Sequence, residues 1–387
     1  MNRHHQLRSL LILSCLSAAT LATDRITMKV KIAGQPALFG LDTGSEATLL
    51  LDAGARRLGL EVERPPASAR ATPGSVLVGR TERCSIEIGA NADQVRLPVV
   101  DVPDYLEPRV DGLIGWNILR QVVVVIDTPR QRISMQGELP AEVSAWSSWS
   151  IRPGATRLIV EIPSTGPTPE TLMIDTGSPS GIELAPQRWR SWSAAHSHLP
   201  ATLNSAFIPG VGIVATEERW APVFALGGLV FHEIPVGRYG AMVQHAPEDR
   251  HAATLGLCAL RRASWVIDGR NGKLYVQSHG PPQGPNNYEY NRLGAVFIPA
   301  AGQGDDLIAQ VFEGSPAYRA GIRNGDILLR INDLDTTAWR TDPRIQRPGK
   351  FWSSPAGTVL RLGLKRQEKT FDVTIVLEDI FPAHLGR

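Results

Sequence analysis

The chain has 387 residues, 43% of them hydrophobic and 20% charged, with a formal net charge of +2 from 40 basic and 38 acidic side chains. That near-balance, spread along the chain, excludes an electrostatic case for nucleic-acid binding, while the length sets a prior of about two to three domains. Cysteines are too few for a disulfide framework, and the histidines form no ligand cluster, His196 and His198 reading as a polar loop pair. No metal and no cofactor is expected.

The N-terminus carries Arg3, His4, His5 and Arg8 ahead of an uncharged apolar run from Leu10 to Ala22 that ends in small residues. This pattern predicts a secretory signal over residues 1–22 and a periplasmic or secreted protein; the run falls short of the roughly 20 apolar residues that span a bilayer. A weaker reading makes Cys15 a lipid-attachment site, against which stands the bulky Leu13. Cys84, in an alternating strand, and Cys258, after a glycine turn, read as buried thiols.

Beyond the leader, strand signals dominate. Ile26 to Ile32 alternates, as does Arg157 to Ile162, and each is followed by a Gly/Pro-containing turn and a second apolar strand. Those second strands end in the same four residues, Asp42-Thr43-Gly44-Ser45 and Asp175-Thr176-Gly177-Ser178, 133 positions apart. Further on, Gly115-Trp116-Asn117-Ile118-Leu119-Arg120 matches Gly256-Leu257-Cys258-Ala259-Leu260-Arg261, and Val125-Ile126-Asp127 matches Val266-Ile267-Asp268, both at one slightly larger offset. Blocks repeated in the same order predict a duplicated half with one insertion between the blocks. The expected architecture is mostly β: lobe one over 23–136, a low-regularity connector over 137–155, lobe two over 156–278, a Pro/Gly-rich spacer over 279–287 and a small α+β unit over 288–381.

A single Asp-Thr-Gly is a weak motif; two on docked halves point to a particular chemistry. Two carboxyls in close contact cannot both ionise, so the pair titrates as a unit, one member serving as base toward water and the other as acid toward the scissile carbonyl oxygen. Gly44 and Gly177 let backbone N–H groups approach the carboxylates. Thr43, Thr176, Ser45 and Ser178 add short hydroxyls that can bond the opposite turn or the outer carboxylate oxygen.

These residues resemble the retropepsin-like aspartic proteases, over roughly Ile26 to Ser278, here as two fused pseudo-symmetric β-barrel lobes. The resemblance implies Asp42 and Asp175 as the catalytic pair. It also implies apolar-Gly turns, Leu113-Ile114-Gly115 and Thr254-Leu255-Gly256, crossing the acidic turns, with Thr254 standing where the family has an aliphatic residue. Flap hairpins are implied too; Pro73-Gly74-Ser75 and Pro209-Gly210-Val211-Gly212 are the candidates, and each reads equally as a surface loop.

The last unit offers Gly314-Ser315-Pro316-Ala317, with Ser315 as N-cap, Pro316 at the first helical position and Gly321 just past the end of a short helix. A turn at Asn324-Gly325-Asp326 opens a strand from Ile327 to Ile331. The stretch resembles a bacterial PDZ domain, which implies strand addition of a peptide or protein C-terminus at Leu293, Gly294 and Ala295. Pro343, Pro348 and Gly349 interrupt the expected groove helix between Thr341 and Pro355. The expected function is an exported, monomeric aspartic endopeptidase with a PDZ domain for substrate recruitment or regulation; the alternative is a non-catalytic peptide- or protein-binding protein on the same fold.

Overall fold

In the computed structural model, residues 17–21, 25–64, 76–102, 110–130, 132–163, 169–208, 212–239, 249–280, 288–299, 305–342, 344–345 and 347–382 are described. The alternation of Ile26–Ile32 buries Ile26, Met28, Val30 and Ile32 on one face. Its hairpin partner is Gln35–Leu41, reached through Ala33 and Gly34, both at positive φ, the turn geometry whose twist matches the flanking strands. In the second half Ile159–Ile162 pairs with Glu170–Ile174 in the same way. Each half then runs through a short strand, a helix and a second hairpin. In lobe one these are Leu49–Leu51, Asp52–Arg57, and the pair Val62–Glu63 with Leu77–Thr81. In lobe two they are Ile182–Leu184, Pro186–Ala195, and the long pair Ala201–Ile208 with Gly212–Leu226.

The lobes belong to one 22-stranded sheet. Their seam is the antiparallel pair Val123–Asp127 with Ala263–Asp268, in which Val125 faces Val266. One hydrophobic core draws on both lobes, from Phe39, Leu41, Leu50 and Ile114 to Leu172, Ile174, Leu184 and Leu255.

Two segments differ from expectation. The connector is ordered: a 3-10 turn at Ala141–Ala145 leads into the strand Ser147–Ile151, which pairs with Lys273–Val276 and with Val160–Glu161. Trp149 anchors it, 4% exposed and edge-on to Trp265, so alternation hidden among serines and tryptophans is a real strand. The backbone of Ser17–Leu21, inside the expected leader, pairs with Arg132–Met135 and with Ile26–Thr27. It holds in lobe one the place that Ser147–Ile151 holds in lobe two. Cys15 and the tips 73–75 and 209–211 lie outside the described residues.

The C-terminal unit has a separate six-stranded sheet, with Ala295–Pro299 at one edge paired to Leu307–Val311. The helix Pro316–Arg319 is capped as its sequence predicts, Ser315 Oγ accepting from Tyr318 N at 3.2 Å. Among the described residues of the proline-interrupted region, the helical part is the single turn Gly349–Trp352, with Pro348 at its cap.

Candidate active site

The strands Gln35–Leu41 and Glu170–Ile174 end at Asp42 and Asp175, and each is flanked in parallel by the apolar-Gly segment of its own half. Gly112–Ile114 runs beside Phe39–Leu41, and Ile114 O accepts from Asp42 N at 3.0 Å. Ala253–Leu255 runs beside Leu172–Ile174, and Leu255 O accepts from Asp175 N at 2.9 Å. The crossing leaves no room for side chains at Gly115 and Gly256. A Cβ on Gly115 would lie 2.4 Å from Ala47 O, and one on Gly256 would lie 2.5 Å from Ser180 O.

The two acidic turns meet across the seam. Thr43 N donates to Thr176 Oγ1 and Thr176 N to Thr43 Oγ1, each at 3.1 Å. Each hydroxyl in turn donates into the opposite strand, Thr43 Oγ1 to Ile174 O at 2.6 Å and Thr176 Oγ1 to Leu41 O at 2.8 Å. Both threonines are almost wholly buried. Gly44 N donates to Asp42 Oδ1 and Gly177 N to Asp175 Oδ1, both at 2.9 Å, and Ser178 N adds a bond to Asp175 at 3.2 Å.

Each glycine faces the other half's acid: a Cβ on Gly44 would lie 2.6 Å from Asp175 Cγ, and one on Gly177 2.4 Å from Asp42 Cγ. The serine hydroxyls serve their own loops instead of the carboxylates, Ser45 Oγ donating to Ala47 O at 3.0 Å and Ser178 Oγ pairing with Ser180 Oγ at 2.8 Å.

Burial, then the neighbouring Asp175 carboxyl, pushes Asp42 up to about 7, against the pull of the Gly44 and Ser45 N–H groups and Arg25. Burial also raises Asp175, opposed by the Gly177 and Ser178 N–H groups, by the neighbouring Asp42 side chain and by Arg157. Such a pair retains one proton at a pH where free carboxyls have lost theirs.

Around this symmetric centre the lobes differ. In lobe one Leu113 lies between Gly40 and Leu49 across three strands; in lobe two Thr254 lies between Met173 and Glu183. Thr254 is fully buried and its Oγ1 is 3.1 Å from His251 Nε2, so the hydroxyl has a polar partner where an aliphatic residue was expected. Burial, with Asp175 and Glu218 nearby, pushes Glu183 up to about 7 against a hydrogen bond from Ser180. Among the described residues Glu183 has no ion-pair partner within 4.0 Å. The repeat itself held the signal, since it places a glutamate where the first half has a leucine. Asn117 was also passed over: its Oδ1 accepts from Thr48 N and Oγ1 at 2.8 and 2.9 Å, and Thr48 Oγ1 accepts from Gly115 N.

Of the other named residues, Leu293 and Ala295 are fully buried, and the N–H groups of Leu293 and Gly294 donate to Asn291 Oδ1 at 2.9 and 3.2 Å. His196 stacks on Trp192 at 4.7 Å, with Nδ1 against that residue's carbonyl. Cys84 and Cys258 are free thiols, and burial pushes Cys258 up to about 11.

Residues 28–121 match the family described as gag-polyprotein putative aspartyl protease, and residues 307–347 match the PDZ domain. Among solved structures the chain is similar to the aspartic proteinase from Irpex lacteus, at 12% identity and a TM-score of 0.40, over 69% of this chain and 97% of that one. No curated protein matches. The chain has a mostly β fold with a retropepsin-like aspartic-protease region and a C-terminal PDZ domain. It is a protease-like protein, and peptides or proteins are the partners those two modules suggest.

Proposed function

We propose that the protein is an aspartic endopeptidase in which Asp42 and Asp175 share one proton and activate a water between them. The observation that carries this reading is the mutual approach of the two turns, with reciprocal Thr43–Thr176 bonds and each turn's glycine set against the other half's carboxyl. The ionised carboxyl takes a proton from the water as it attacks the scissile carbonyl carbon, and the protonated one donates to the carbonyl oxygen. In the collapse the protonated carboxyl donates to the departing amine nitrogen while the ionised one takes a proton from a hydroxyl of the tetrahedral diol; carboxylic acid and amine leave, and the pair again holds one proton.

Fixed N–H donors at Gly44, Gly177 and Ser178 hold the carboxylates in place, so little reorganisation accompanies charge movement. The test is digestion of a peptide library from acid to neutral pH by the wild type and by Asp42→Asn and Asp175→Asn. Cleavage by the wild type alone supports the reading, and binding without cut product favours a non-catalytic peptide-binding protein.

Export belongs to the same proposal, on the basic start and apolar run before Ala22. Cleavage at Ala22 would remove the strand Ser17–Leu21 from lobe one. N-terminal sequencing of protein recovered from the medium or periplasm distinguishes that site from an earlier one.

A further inference from the structure

The PDZ domain rests on the long hairpin of lobe two. Leu203, Ile213 and Ala215 of that hairpin pack against the domain's core. At the contact Asn291 uses its whole side-chain amide. Nδ2 donates to Leu203 O on the hairpin at 2.9 Å and to Ala295 O at 2.7 Å, while Oδ1 accepts from Leu293 N and Gly294 N. Thr202 Oγ1 on the hairpin donates to Asn291 O at 2.7 Å, and Tyr288 OH donates to Glu218 Oε2 near the hairpin's base at 2.7 Å. Trp220 closes the seam against Phe381, with ring centroids 5.4 Å apart.

The N–H groups that the resemblance assigns to a peptide's terminal carboxylate are therefore donated within the chain, to an amide that also holds the hairpin. A carboxylate entering at Leu293 and Gly294 must displace Asn291 Oδ1, and with it the tie to Leu203. The hairpin in turn adjoins the active site: its second strand pairs with Leu229–Arg238, which pairs with the strand carrying Glu183. Glu183 feels the charges of both Glu218 and Asp175.

We propose that the PDZ domain takes the second lobe's own hairpin as its resident ligand, and that Asn291 is a positioning residue that fixes this hairpin beside the Asp175 half of the cleft. Docking of the hairpin and capture of an outside C-terminus are mutually exclusive, so each weakens the other to the same degree. The activity consequence rests on the endopeptidase reading; the docking itself does not.

Hydrogen exchange on the full-length protein decides it. Amides of 201–208 and 212–219 are compared in the wild type, Asn291→Ala and Thr202→Val, the last of which leaves the domain's own turn intact should Asn291→Ala unfold it. The expected result is exchange faster by about tenfold or more in the hairpin, as follows from losing one or more buried hydrogen bonds, with Ala295–Pro299 still protected in Thr202→Val. A fluorescent hexapeptide with a free apolar C-terminus is expected to bind the wild type no better than its C-terminal amide. Unchanged hairpin exchange in Thr202→Val, or carboxylate-dependent peptide binding that leaves hairpin protection intact, overturns the proposal. If the wild type cuts no peptide, the endopeptidase reading fails while the exchange result still stands.

Discussion

Thr43 and Thr176 hold each other by two identical hydrogen bonds, backbone N–H to side-chain oxygen at 3.1 Å in both directions, across a pseudo-two-fold axis and 133 residues of sequence. Because each hydroxyl also donates to the strand preceding the opposite aspartate, the pair fixes two strand ends with four bonds in a buried setting.

Replacing Thr43 by valine keeps the volume but removes the bond to Ile174 O and strands the N–H of Thr176. At about 1 kcal/mol per lost bond and about 1–3 for a buried group left unpaired, the expected cost is about 3 kcal/mol. Ser45→Ala, which loses a single bond to Ala47 O, is expected to cost under about 1 kcal/mol on the same scale. Urea unfolding of the two variants measures the difference.

Gly44 and Gly177 make a sharper prediction. A methyl group at either position meets the other half's carboxyl well inside contact distance. Gly44→Ala and Gly177→Ala are therefore expected to lose activity by about 100-fold or more, since displacement of a reacting group by about 1 Å has that effect. Gly280→Ala, where an added Cβ meets nothing within 4 Å, leaves the rate unchanged. Initial rates on one peptide substrate compare the three.

Glu218 ties stability to pH. The residue is 6% exposed and burial pushes its carboxyl from 4.5 up to about 7, while Tyr288 OH donates to it. The folded state thus holds a proton that the unfolded chain releases earlier. The contribution is fully present below about 4.5 and is lost as pH rises through about 7. Glu218→Gln keeps an oxygen for Tyr288 and cannot ionise, so the variant gains on the wild type by up to about 3 kcal/mol above pH 7 and matches it near pH 4.5. Urea titrations at the two pH values read this out.

The same sign governs the paired acids Asp42 and Asp175. Asp42, raised to about 7 by burial and then by Asp175, keeps the shared proton through the acid and weakly acid range. Activity is expected to fall as pH climbs through about 7, and kcat/KM against pH locates that limb.

How far the sequence discloses this arrangement depends on what each residue must do locally. Asp42-Thr43-Gly44 and Leu113-Ile114-Gly115 are visible because the crossing admits only glycine at set places, and the second half repeats the demand at Gly177 and Gly256. The strand Ser147–Ile151 was hidden because its alternation is written in serine and tryptophan, and only packing on Trp265 makes Trp149 a core residue. Glu183 passed unnoticed because one acid in an alternating strand reads as a solvent face until Thr254 and Asp175 are placed beside it. Asn291 gave no signal at all, since three of its side chain's four partners lie in its own turn and strand and the fourth, Leu203 O, belongs to another domain.

The paired acids are tested most directly by product analysis, by mass spectrometry, after incubation of a peptide library with the wild type, Asp42→Asn and Asp175→Asn at a pH below 7. Cut products are expected from the wild type and from neither variant, with both variants retaining the wild-type unfolding transition. Cleavage at the wild-type rate by either single variant would contradict a mechanism in which the two carboxyls act on one proton.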